Sequence, residues 1–75
     1  MAIISKSKMK ILLELQKGSK HGYEIAKSTG LPMGSIYDHL AELVTEGFIT
    51  YKEENRRKVY SLTEKGKMLL KALEK

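Results

Sequence analysis

Met33, Gly34 and Ser35, followed by Tyr37, Asp38 and His39, gather a thioether, a hydroxyl, a phenol, a carboxylate and an imidazole within two helical turns. These groups make hydrogen bonds and apolar contacts at the edge of a partner, and none is chosen for bulk solvation. A second polar run, Asn55-Arg56-Arg57-Lys58, supplies cations next to a residue that turns readily. A third, Lys20-His21, precedes Gly22 at the start of a short helical pattern. There the free N–H groups of a helix end could hold a phosphate. The alternative is a cap and a tight turn in which Gly22 lets another segment pass close by.

Covalent and metal chemistry find little here. The two histidines are separated by a helix and a turn, and with no cysteine they form no metal triad. No glycine loop is built to cradle a phosphate, and no Ser/His/Asp set would be brought together by the expected packing. A 75-residue chain also has too small a core to enclose a substrate pocket. The expectation is a protein that is no enzyme, with no cofactor, no bound metal and no small-molecule effector.

The elements that must position these residues follow from the periodicity. Ile36, Leu40, Leu43, Val44 and Gly47 fall on one face of a helix. Leu31-Pro32 is the turn before it, with Pro32 at or just before its first helical position. A helix with a core stripe behind and an adaptable polar tip in front is one that a DNA major groove admits. His21–Ser28 is a helix of about two turns stopped by Gly30. In it Ile25 and Ala26 face inward, and Tyr23 is expected in the core with its hydroxyl reaching a partner. Ser5 or Ser7 caps a first helix that Gly18 ends in a left-handed conformation. Met9, Leu12 and Leu13 share one of its faces, widened by Ile11 and Leu15.

After Gly47 the period becomes two. Phe48–Glu53 and Lys58–Leu62 are strands, joined through Glu54-Asn55-Arg56-Arg57 into a hairpin with a basic tip. Thr63 caps a last helix from Glu64 to about Glu74, with Met68, Leu69, Ala72 and Leu73 as its apolar face and Leu70 off that stripe. The order helix-helix-helix-hairpin-helix, mostly α with a small β-hairpin, is a winged helix-turn-helix (α+β) in a single domain, residues 1–75, since a lone hairpin must pack on helices.

The formal net charge is +5, from 14 Lys and Arg against 9 Asp and Glu. The position of the charge says more than its size. Cations cluster at Lys6, Lys8 and Lys10, at the hairpin, and along the last helix. Acids fall at Glu42 and Glu46 behind the tip of the central helix. The absence of cysteine fits a reducing cytoplasm, and no apolar run is long enough to span a membrane.

His21-Gly22-Tyr23-Glu24-Ile25, then Gly34-Ser35-Ile36-Tyr37 with Leu40, Leu43 and Gly47-Phe48-Ile49, resemble the PadR-like winged-helix transcriptional regulators. Arg57–Gly66 is similar to that family's end-of-wing segment, and the likeness runs over roughly residues 9 to 70. Gly30–Leu40 is closer to ArsR-like or MarR-like regulators, whose pattern usually has a basic residue where this chain has Asp38. The resemblance implies a sequence-specific binder of double-stranded DNA, probing the major groove with the third helix and touching backbone or minor groove with the hairpin.

On that reading Ser35, Tyr37 and His39 contact bases or phosphates, with Met33 and Gly34 beside them. The alternative is ordinary exposed helix, with Tyr37 partly packed on the second helix. Asp38 either accepts from a cytosine amino group or points away. Asn55, Arg56, Arg57 and Lys58 reach a phosphate or the minor groove, or serve only as a solvated turn. A homodimer through the last helix (Leu69, Leu70, Leu73) and Ile3-Ile4 would place two copies on two half-sites. The competing classes are a winged helix that binds protein and a non-specific nucleic-acid binder.

Overall fold

The computed structural model describes residues 5–73, so Ile3-Ile4 lies outside the described residues. The order is α1 (Lys6–Gln16), β1 (Lys20–His21), α2 (Gly22–Thr29), α3 (Met33–Thr45), β2 (Ile49–Glu54), β3 (Arg57–Leu62) and α4 (Glu64–Leu73). The expected helices and hairpin are present. β1 was not expected. It pairs antiparallel with β3, Lys20 opposite Tyr60 and His21 opposite Val59, and makes a three-stranded sheet in the order β1-β3-β2.

One core holds these elements together. Ile11, Leu12, Ile25, Ile36, Leu40 and Leu43 are fully buried, joined by Leu15, Ala26, Ile49, Tyr60 and Leu70. On α1 the inward face is Ile11, Leu12 and Leu15. Leu13 does not share it and stands 42% exposed, because it lies about 100° around the helix from Leu12, away from the core. Ser5 caps α1 by accepting from the Lys8 N–H (3.2 Å). The helix ends through Lys17, and Gly18 has φ +147°, outside the expected left-handed helical region.

The helix-turn-helix is fastened by Thr29. Its hydroxyl donates to the Ile25 carbonyl (2.7 Å) and accepts from the Leu31 N–H (3.3 Å), while Gly30 at φ 77° closes α2. α3 follows from Pro32 as its N-cap. Lys8 of α1 holds α3 from outside through Glu42 (2.8 Å) and Glu46 (3.8 Å).

At the far end of α3 the chain turns into the sheet and is tied to α4. Thr63 donates its N–H to the Phe48 carbonyl (3.1 Å) and its hydroxyl to the Gly47 carbonyl (2.6 Å). The same hydroxyl accepts from the Gly66 N–H (3.1 Å), capping α4. Gly66 lies so close to the Phe48 carbonyl that a Cβ would overlap it. This approach sets the rotation of α4 and corrects its expected face. Gly66 and Leu70 point inward, Leu69 is half-buried, and Met68 stands 68% exposed. Among the described residues no helix is long and apolar enough to cross a membrane.

Replacing Gly66 by alanine forces α4 off the Phe48 carbonyl and should cost about 3 kcal/mol of unfolding free energy, measured by urea denaturation. The Lys8–Glu42 pair gives a pH signature. Glu42 is held below the usual carboxylate range, chiefly by its bond to Lys8, and Lys8 is raised by the same bond. The stability from Glu42 is therefore present above the ordinary carboxylate value and lost as pH falls through the lowered one. Wild type and Glu42→Gln should differ in urea midpoint at neutral pH and converge in acid.

Candidate nucleic-acid interface

A groove of about 670 Å³ runs between the first turns of α2 and α3 and the hairpin. His21, Gly22 and Tyr23 form one wall, with Met33 and Tyr37 beside them. Glu53, Arg56, Arg57 and Lys58 form the other, and Tyr60 is the floor. Burial pushes the Tyr60 phenol up. Its ring also packs against Tyr51 across the strands, with centroids 5.7 Å apart. Lys58 lies over the Tyr51 ring at 4.7 Å, which stiffens the strand that carries the cations.

The groove depends on one small residue. The Tyr37 ring lies directly over Gly22, so that a Cβ there would sit 2.8 Å from the ring edge and 2.9 Å from its hydroxyl oxygen. Gly22 thus admits a close neighbour, and that neighbour is a side chain. Tyr37 is both packed on α2 and 48% exposed.

Lys20 and His21 are drawn into the sheet as β1. The Glu24 carboxylate accepts from the His21 N–H (2.8 Å) and from its Nδ1 (3.1 Å). These bonds, the backbone one foremost, hold Glu24 below the usual carboxylate range. An anion of the chain itself already occupies that N–H, which favours the capping role over phosphate binding through it.

Of the candidate residues, His21, Met33, Tyr37, Arg56, Arg57 and Lys58 meet in the groove. Gly34, Ser35 and Asp38 lie elsewhere on α3, all exposed. His39 is half-buried, and its Nδ1 is enclosed without a hydrogen-bond partner. Asn55 sits in the two-residue turn between Glu54 and Arg57. Tyr23 corrects the expectation of a core residue. It is 60% exposed, because Gly22, Ile25 and Ala26 take the inward face of α2, and its ring is 5.8 Å from Lys27. Tyr23, Glu53 and Tyr60 were missed as lining residues. Strand alternation puts Tyr60 and Lys58 on one face, but only the packing of α2 and α3 makes that face a wall.

The hairpin tip has positive φ at both central residues, Asn55 at 51° and Arg56 at 66°. This is the type I′ geometry that matches strand twist, in which glycine is the relaxed choice at the second position. Arginine there is strained, and strained non-glycine residues tend to mark functional positions.

The sequence matches the transcriptional regulator PadR-like family over residues 11–72. The chain belongs to the PadR-like family. Among solved structures it is similar to a homodimeric winged helix-turn-helix DNA-binding domain from Mycobacterium bovis, a candidate ArsR-family regulator. That match has a TM-score of 0.82 and 24% identity, covering 95% of this chain and 66% of the other. It is also similar to a MarR variant from E. coli in complex with operator DNA, with a TM-score of 0.86 and 19% identity over 93% of this chain and 53% of the other. These likenesses establish the winged-helix fold. A curated relative, the phenylalanine–tRNA ligase alpha subunit of Metallosphaera sedula, is 36% identical over 67 residues. The match takes in 88% of this chain but only 14% of that protein. This PadR-like chain therefore spans a small part of that relative, and its wing presents the strained arginine described above.

Arg56→Gly should relieve the left-handed strain and raise stability by about 1 kcal/mol, read from the urea midpoint. An unchanged or lowered midpoint would show that the arginine is held there without strain.

Proposed function

We propose that the chain is a single-domain, sequence-specific binder of double-stranded DNA acting as a transcriptional regulator, most simply a repressor. The observation that carries this reading is the groove, in which Arg56, Arg57 and Lys58 face the exposed tip of α3. A duplex seated with α3 in its major groove would run one phosphate strand between α3 and the hairpin, and the wing would reach the backbone or the next minor groove. Ser35, Tyr37, His39 and Met33 are then placed for bases and sugar-phosphate, with Gly34 allowing close approach. Asn55, Arg56, Arg57 and Lys58, with Lys20 and His21, serve the phosphates.

One copy covers few base pairs, so two half-sites and a homodimer follow. The similar domain from M. bovis is described as homodimeric, which supports that assembly. α4 with Leu69 and Leu73, together with the amino-terminal segment, is the surface proposed for it, in a cytoplasmic protein. Leu70 is spent on the domain's own core.

A second reading has a specific observation behind it. The curated relative is a tRNA ligase, of which this chain would be one module. The same basic groove could take an RNA backbone instead.

A randomised-duplex selection with the purified protein, followed by salt titration, separates the two. An enriched inverted repeat is expected, with log K falling against log salt at a slope of roughly −4.5 per copy if about five phosphates are contacted. Arg56→Ala with Arg57→Ala should reduce that slope by about two. Preference for tRNA over every selected duplex would overturn the DNA reading in favour of RNA.

A further inference from the structure

We propose that Asp38 selects a cytosine in each half-site, its carboxylate accepting a hydrogen bond from the exocyclic amino group of that base. The inference rests on the DNA-binding reading above and makes it specific.

Asp38 occupies the side of α3 opposite its core stripe. Ile36 and Leu40 are fully buried, and Asp38 lies two residues from each, about 200° around the helix. It is exposed, and along the same outward line Gly34 precedes it by four residues and Ala41 follows by three. A Cβ on Gly34 would meet nothing within 4 Å, so this line is low and open. A helix with such a surface can press close to the groove floor, and a side chain as short as aspartate needs that approach.

Among the described residues, its carboxylate is the one on α3 that makes no ion pair. Between Met33 and Glu46 there are three carboxylates and no lysine or arginine. Lys8 engages Glu42 at 2.8 Å and Glu46 at 3.8 Å and draws both toward α1. Asp38 has no ion pair and no side-chain hydrogen bond among the described residues. A lone carboxylate entering a groove lined by phosphates is repelled unless it meets a donor.

The major groove offers two amino donors, on cytosine and on adenine. Adenine carries the N7 acceptor beside its amino group, which turns a lone pair toward a carboxylate. The cytosine edge shows its amino group without an acceptor of its own. Cytosine is therefore the base that an unpaired aspartate fits. An asparagine, with donor and acceptor together, would fit adenine.

The test compares duplex selections by wild type, Asp38→Ala and Asp38→Asn. Asp38 supports no packing, so the variants keep the fold, which circular dichroism and the melting temperature verify. Wild type should enrich cytosine at one position of the half-site, preferred by roughly tenfold over other bases. Asp38→Ala should flatten that position alone, and Asp38→Asn should move its preference to adenine. Unchanged preferences in Asp38→Ala would overturn the inference. So would equal strengthening of binding to every duplex, which would place Asp38 against phosphate. If wild type retains no duplex of any sequence, the DNA reading falls and this inference with it. Retention with unaltered preferences removes the inference alone.

Discussion

Thr63 ties the end of α3, the root of the wing and the start of α4 into one joint. Its hydroxyl donates to the Gly47 carbonyl and accepts from the Gly66 N–H, while its own N–H goes to the Phe48 carbonyl. Lys65 adds a bond to the Glu46 carbonyl (2.8 Å), covering the open carbonyl end of α3. Backbone groups at such a junction have no regular partners and would be costly to leave buried and unpaired. One β-branched hydroxyl residue satisfies several of them at once. The angle between helix and wing then follows chiefly from the short hydrogen-bonded links of Thr63, with the Lys65 side chain added to them.

The groove is the consequence of that angle. The wing rises from the joint, Tyr60 and Tyr51 pack at a tilt across its strands, and residues 52–58 beyond them are exposed. On the other side the absence of a side chain at Gly22 leaves room for the hydroxyl end of the Tyr37 ring against α2. Only the tip, with two residues in the left-handed region, departs from relaxed geometry.

The helices and hairpin were legible because each has a period. The stripe Ile36, Leu40 and Leu43 is where the repeat puts it, and each strand holds a short run of β-branched and aromatic residues, Ile49-Thr50-Tyr51 and Val59-Tyr60. β1 was not legible, since two residues, Lys20 and His21, cannot show a period and are strand only because β3 offers an edge. The face of α4 was misjudged because its apolar positions allow several rotations, and the choice is made by Gly66 against a carbonyl far away in sequence. Tyr23 was misjudged because a large apolar ring argues for burial, yet the inward face of its helix was already filled by smaller residues. The site was legible as separate patches. Their meeting in one groove was not, because it joins residues near 21, 35 and 57 through tertiary packing.

The distribution of charge divides affinity from selectivity. The wing carries Lys52, Arg56, Arg57 and Lys58, whereas α3 has no lysine or arginine and carries Asp38 and Glu42, with Glu46 at its C-cap. Phosphate attraction depends on counterion release and is indifferent to sequence. On the proposed reading, its place on the wing would draw a backbone in without crowding the surface of α3 that meets the bases. A cation on α3 would hold the helix to any duplex through its phosphates and blunt discrimination. An acid there does the reverse, weakening every complex in which it fails to meet a donor. That is how repulsion produces specificity between similar partners. Lys8 is part of the same division. By pairing with Glu42 and Glu46 it offsets the two carboxylates that follow Asp38 along the helix. The ion pairs that tie α3 to α1 thus also offset charge that α3 presents.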